Sequence, residues 1–321
     1  MKATEFDLQQ FGRGRKHSFD LELDGDAEGI SLPVLLVCGR GSGPALVATA
    51  GVHGDEYEGV RAILDTCAAL DPEEMSGTFL AVPVANPPAF WNGTRQSPLD
   101  GKNLARMFPG RLDDGPSAAI AHHLAQSIIA CADFYIDLHS AGVKLLMPTM
   151  IGYDATDPRS LAAARAFGAP VMWGHPNIEP GRTISFAREC GIPSLYAEAR
   201  GGGRIHPDDL QAFTQGLRNL MVHLGILPGE VPQVRPQRHL YGDGNTDASL
   251  AAGKSGFLIP SVQLLQDVKA GDELGHVVDL HGERLETITA PCDGVVALIC
   301  PWPVVEPGEP AFLITGLKSD E

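Results

Sequence analysis

From about residue 30 to residue 227 the hydrophobic pattern switches repeatedly between two periods. Short apolar, β-branched runs at 32–37, 45–50, 79–84, 134–138, 146–151 and 194–197 predict buried strands. Between them the apolar positions recur at helical spacing. Val60, Ile63, Leu64 and Cys67 fall at i, i+3, i+4 and i+7 after Glu56, and Ile120, Leu124 and Ile128 step by four within 117–130. Further helices are expected at 157–167 and 207–224. Strand and helix in alternation imply an α/β sheet with helices on both faces, and a ligand site beyond the carboxyl ends of its strands.

Near Pro228 the pattern breaks. The stretch PGEVPQVRPQRH is proline-rich and lacks helical period, as expected of a linker or a strapped crossover. Beyond His239, short strand-like runs at 256–259, 276–279, 285–290, 295–299 and 311–314 alternate with Gly, Pro and Asp turns, which predicts a small all-β module. The expected division is residues 1–235 for the α/β domain and 236–321 for the all-β domain. A length of 321 residues accommodates both.

Charge narrows the partners. With 24 Lys and Arg against 40 Asp and Glu, the net charge is −16, which argues against nucleic acid and anionic membrane as partners. No apolar run reaches the ~18 residues of a transmembrane helix, and the charged start MKATEFDLQQFGRGRKHSF lacks the apolar core of a secretory signal. Six scattered cysteines without a C-x-x-C pair read as reduced thiols, so the expected compartment is the cytoplasm.

The chemistry concentrates in residues 48–59, ATAGVHGDEYEG. A strand is expected to end at Ala50, a glycine-flanked turn carries His53, and Glu56 is expected to open the next helix. Imidazole and carboxylate about one turn apart can converge on a Zn²⁺ ion. A turn histidine followed by an acidic residue at a helix N-terminus explains the same pair without metal. A second strand end, at 134–140, presents Asp137 and His139 on one face. His139 can complete a His₂Glu set with His53 and Glu56, and Asp137 can orient a ligand imidazole. His122 and His123 are adjacent on one helix and read as a solvated or half-buried face, while His175 and His206 fall in loops.

His-Gly-Asp-Glu after one strand, Asp-Leu-His at the end of another, Gly93-Thr94-Arg95, residues 100–110 and residues 193–203 together resemble the succinylglutamate desuccinylase/aspartoacylase family, relatives of the zinc carboxypeptidases. The resemblance runs over most of the chain from about residue 30. It implies a carboxypeptidase-like mixed sheet and one zinc per chain held by His53, Glu56 and His139. It further implies Glu198 as general base, Arg95 at the oxyanion, and Arg106 on a substrate carboxylate with Asn103 nearby. The implied reaction is hydrolysis of an N-acyl amino acid or a related small amide, an N-acetyl diamino acid being one option because an acidic chain favours a cationic substrate. The chain departs from the family at Leu104-Ala105-Arg106, where relatives often read Leu-Asn-Arg. A second class of function is a zinc-containing receptor for a small ligand, with the altered segment reflecting lost catalysis.

Residues 266–275 and 290–296 resemble the barrel-sandwich fold of lipoyl and biotinyl carriers, yet no lysine stands beside Asp293-Gly294. The all-β module is therefore expected to cap the active-site mouth or to make an oligomer contact, and a homo-oligomer is compatible with it.

Overall fold

The computed structural model describes residues 1–318. Its first part carries the strands β1 (Arg15–Glu22), β2 (Ser31–Cys38), β3 (Gly41–Ala50), β4 (Ser76–Val82), β5 (Phe134–Ser140), β6 (Met150–Asp154), β7 (Val171–His175) and β8 (Ser194–Ala199). They line up as β1-β2-β4-β3-β5-β8-β6-β7. The central strands β4, β3, β5 and β8 are parallel, and β6 runs antiparallel to β8. The sheet is thus mixed, with a parallel centre whose strand ends share one edge.

Helices α1 (Glu58–Ala69), α2 (Pro87–Asn92), α3 (Pro116–His123), α4 (Pro158–Phe167), α5 (Thr183–Glu189) and α6 (Pro207–His223) cover it on both faces. Val60 and Ile63 of α1, Phe167 of α4 and Phe213 and Leu217 of α6 fill the core on one side with Leu46, Phe79 and Ile136. On the other side Ile120 of α3 and Phe186 of α5 pack with Leu36, Leu80 and Tyr135. Removing the apolar area of a fully buried Leu or Ile side chain from water is worth about 1.5–3 kcal/mol, so these two layers fix the strand ends firmly.

Several expected elements move. β1 was missed because the sequence RKHSFDLE is largely polar, as suits an edge strand whose burial alternates. The run expected at 146–151 begins instead at Met150, and Leu146 makes only isolated bridges. Residues 117–130 are not one helix: α3 passes into a π turn, Leu124–Ile128, and a 3-10 turn, Ile129–Cys131. His123 is buried and pairs with Asp24 at 3.0 Å.

After an irregular stretch the chain forms β9 (Arg238–Tyr241), β10 (Leu250–Ala251), β11 (Gly256–Pro260), β12 (Asp267–Val268), β13 (Glu273–Val278), β14 (Arg284–Thr289), β15 (Gly294–Ile299), β16 (Val304–Val305) and β17 (Pro310–Leu317). A four-stranded sheet, β14-β13-β11-β16, faces the group β17-β15-β12 across Leu258, Leu274, Val277, Val296 and Phe312. β9 pairs with β7 on one side and β17 on the other, so the large sheet continues into the C-terminal half. Among the described residues no helix is long and apolar enough to cross a membrane.

Candidate active site

Three parallel strands end together at the edge of the sheet. β3 leads into the turn that carries His53 and Glu56, β5 carries His139, and β8 carries Glu198 directly opposite His139 in the ladder. The turn is tight. A Cβ on Gly54 would lie 2.0 Å from the Ala89 carbonyl carbon of α2, so only glycine lets the loop pass there. Held this way, the chain reaches Glu56 before it becomes helical. α1 starts at Glu58, so Glu56 precedes the helix and turns its carboxylate inward.

Glu56 sits between the two imidazoles. Its Oε1 is 2.7 Å from His53 Nδ1 and its Oε2 is 2.9 Å from His139 Nδ1. It also accepts from Arg95 Nη1 at 3.0 Å and from the Ser140 amide at 3.1 Å. Burial works against its charge, but His53 and His139 outweigh it and hold the carboxyl well below the ordinary range. His139 shows the converse: burial disfavours its cation, and Asp137 and Glu56 together lift it well above the ordinary imidazole value.

The outer nitrogens of both rings are fixed. His139 Nε2 lies 2.9 Å from Asp137 Oδ2, and His53 Nε2 lies 3.0 Å from Asn103 Oδ1. A proton on each Nε2 satisfies these acceptors, and a divalent ion at the shared centre would take the place of the Nδ1 protons that meet Glu56, leaving both rings neutral. One ligand atom from each of His53, Glu56 and His139 lies within 4.8 Å of the others. Two neutral imidazoles, one carboxylate and fixed outer hydrogen bonds fit a divalent ion such as zinc. Asp137 is itself held, accepting from Thr49 Oγ1 at 2.7 Å and Thr183 Oγ1 at 2.6 Å.

The cleft beside this group is lined by Arg95, Ala105, Arg106, Arg182, Tyr196, Glu198 and Thr246, among others. Glu198 Oε2 is buried and has no hydrogen-bond partner among the described residues. Burial pushes the Glu198 carboxyl up to about 8, with His139 opposing and Glu56 adding to the rise. Such a carboxyl, orphaned and raised, is poised to exchange a proton at neutral pH.

Of the residues expected from sequence, Arg95, Arg106 and Glu198 share the cleft with His53 and His139. Asn103 does not line it; its amide oxygen caps a 3-10 turn at the Ala105 amide and holds His53. Arg182 and Thr246 were not anticipated, because nothing in the sequence links 182, 198 and 246 until the fold does. Tyr196 and His175 form a further unforeseen pair. The Tyr196 hydroxyl donates to His175 Nε2 at 2.7 Å, and His175 Nδ1 donates to the Gly242 carbonyl at 2.9 Å. The Tyr196 ring occupies the space a Cβ would need at Gly152 on the neighbouring strand.

His175 carries a pH prediction. Burial pushes its pKa down to about 4, the Gly242 hydrogen bond opposing and Arg182 adding to the fall. The unfolded chain therefore binds the proton first, between pH 6.5 and 4. Stability from this residue is complete above about pH 6.5 and is lost as pH falls through about 4, about 3 kcal/mol in all. Urea unfolding of the wild type and of His175→Gln at a series of pH values should give stability curves that converge over that window. Parallel curves would show that His175 is not the titrating group.

The class of protein follows from this geometry: a mixed-sheet α/β protein with a His-Glu-His group able to hold a metal ion and a free carboxyl at one sheet edge. Residues 42–224 match the model of the succinylglutamate desuccinylase/aspartoacylase catalytic domain. An N-alpha-acetyl-L-2,4-diaminobutyric acid deacetylase of Halomonas elongata is 33% identical over 298 residues, 88% of this chain and 86% of the relative. A succinylglutamate desuccinylase/aspartoacylase of Rhodobacter sphaeroides superposes with a TM-score of 0.85 at 28% identity, over 97% of this chain and 98% of that one. The ectoine utilization protein of Ruegeria pomeroyi, solved with product bound, gives 0.85 at 27% identity, over 96% and 98%. The chain belongs to the succinylglutamate desuccinylase/aspartoacylase family and is an amidohydrolase of the deacylase kind.

Proposed function

We propose that the protein removes the acetyl group from an N-acetylated diamino acid, with one zinc ion held by His53, Glu56 and His139. The observation that carries the reading is the pairing of this donor set with the unpartnered carboxyl of Glu198 across the same cleft. The relative from Halomonas elongata supports the choice of substrate. The surplus of acidic residues is in keeping with a substrate that bears an amine.

When bound, zinc supplies Lewis acidity and lowers the pKa of water toward about 7. Glu198 takes the proton of the attacking water and delivers it to the departing amine nitrogen. A carboxylate raised by burial is a stronger base than a solvated one, which suits it to the first transfer and leaves it an acid for the second. Arg95 faces the cleft and stabilises the negative oxygen as the scissile carbonyl becomes tetrahedral. Asp137 and Asn103 keep the rings of His139 and His53 in register. The six scattered free cysteines support a cytoplasmic location.

Assay of the purified protein against a panel of N-acyl amino acids, with its metal content measured in parallel, tests the reading. Turnover of an N-acetyl diamino acid that vanishes on chelation and returns with zinc is the expected result. Activity untouched by chelation, with no stoichiometric divalent metal, would falsify it.

Ala105 lines the cleft next to Arg106. Ala105→Asn should therefore shift preference toward N-acyl aspartate or glutamate by about 10-fold in the ratio of kcat/KM values, the worth of one hydrogen bond to a charged group. An unchanged ratio would mean that position 105 does not meet the substrate.

A further inference from the structure

The proline-rich stretch that joins the two halves of the chain carries Arg235 and Arg238, and neither reaches the hydrolytic cleft. Instead the stretch lines a second cavity, of about 740 Å³, together with α4, the first residues of β7 and β9, and the end of β17. The Gln237 amide donates to the Pro170 carbonyl at 2.8 Å, and Arg238 Nη2 donates to Asp267 Oδ2 at 2.9 Å, so the stretch is anchored where it meets the sheet. Met172, on the cavity wall, packs with Phe167 and Leu217 in the core beneath α4 and α6. The cavity and the cleft share no lining residue. Its volume falls within the ~300–1,000 Å³ of small-molecule sites.

The charge of this cavity runs against that of the chain. Arg165, Arg235, Arg238, His239 and Lys318 line it, and among the described residues no Asp or Glu does. The chain as a whole has 24 Lys and Arg against 40 Asp and Glu. Arg238 is paired with Asp267, whereas Arg165, Arg235 and Lys318 have no ion pair among the described residues. Cations gathered without acidic partners repel one another, and an anion among them relieves that repulsion. Guanidinium forks match the oxygens of a phosphate, and an ammonium adds a point charge. Val234 and Leu317 stand in the same wall with their side chains exposed, which gives an apolar surface beside the charges.

We infer that this cavity is a binding site for a small molecule that bears several phosphate groups, separate from the hydrolytic cleft. Arg165, Arg235 and Lys318 take the phosphate oxygens. Val234 and Leu317 lie against the body of the ligand where it has one, as a nucleotide does and free polyphosphate does not. The net charge of −16 repels such an anion at long range, so its retention depends on these local contacts. The inference is independent of the reaction run at the cleft.

Isothermal titration of the full-length protein with ATP, inorganic tripolyphosphate and adenosine tests it. ATP and tripolyphosphate should each bind once per chain, and adenosine should not bind. Tighter binding of ATP than of tripolyphosphate marks a nucleotide as the ligand class, and equal binding marks the phosphate chain alone; either sustains the site. Arg165→Ala and Arg235→Ala should each weaken ATP binding by at least ~10-fold, the worth of a hydrogen bond to a charged group. Arg235→Lys keeps the charge without the fork and should retain more affinity than Arg235→Ala. Arg106→Ala and the metal-free protein should bind ATP as the wild type does. Binding lost in either of those, yet intact in Arg165→Ala and Arg235→Ala, would place the anion in the cleft and overturn the inference. No binding of ATP or tripolyphosphate by the wild type also overturns it. So does binding that emerges only when residues 319–321 are removed, since the anion would then replace the chain's own acidic end.

Discussion

Glu198→Gln is expected to lower turnover by at least ~10²-fold while zinc content, unfolding midpoint and substrate affinity stay close to those of the wild type. Glutamine preserves the shape and reach of the side chain but cannot accept the proton of water. General base catalysis by a positioned group contributes about 10²–10⁴-fold, and that contribution acts on the transition state. The substitution also replaces a carboxyl whose Oε2 is buried and unpartnered by a neutral amide, so it leaves no uncompensated buried charge to weaken the fold. Steady-state kinetics and elemental analysis on one preparation supply both readouts. Near-native turnover would move attention to Asp55 and Glu58, which also carry a buried carboxyl oxygen without a partner among the described residues. Loss of zinc in Glu198→Gln would instead place Glu198 in the metal shell.

His139→Ala should abolish both metal retention and activity. His139 lies between Glu56 and Asp137, at 2.9 Å to each, so its removal takes away a proposed ligand and leaves two carboxylates facing a cavity. Two remaining ligands rarely hold zinc against a chelating buffer, and retention below about a tenth of an ion per chain is expected after dialysis. Breaking one side of a buried ionic group typically costs about 3–5 kcal/mol, so a lower unfolding midpoint should accompany the loss. Stoichiometric zinc in His139→Ala would exclude it as a ligand.

The parts of the molecule that could be read from sequence are those where local pattern and fold agree. Apolar runs gave β2, β3, β5 and β8 because these strands lie between the two helical layers and are largely buried, and helical spacing gave α1, α4 and α6. β1 and α2 escaped because an edge strand need not be apolar and a six-residue helix is too short for a period to emerge. At the site, His53, Glu56 and His139 were legible because each sits at a strand end or the turn that follows it. Asn103 is expected on the substrate but holds His53 instead, a contact that depends on how the loop after α2 folds back. Arg182, Asn245 and Asp247 were invisible for a plainer reason. Their meaning lies in contacts 63 and 141 positions apart, and no local pattern encodes those.

The path of the large sheet bears on how the enzyme comes into being on the ribosome. All three candidate ligands have been synthesised by residue 139 and the candidate base by residue 198, but Asn245 and Asp247, which accept from Arg182 and Arg106, follow only after residue 242. The strand before them, β9, rests on β7, made earlier, and on β17, the last strand of the chain. Domains generally form in the order of their synthesis, so the sheet edge that carries the candidate ligands precedes the segment that follows β9. β9 is hydrogen-bonded on both sides only once β17 has been made, so the strand that joins the two halves of the large sheet is secured late in synthesis.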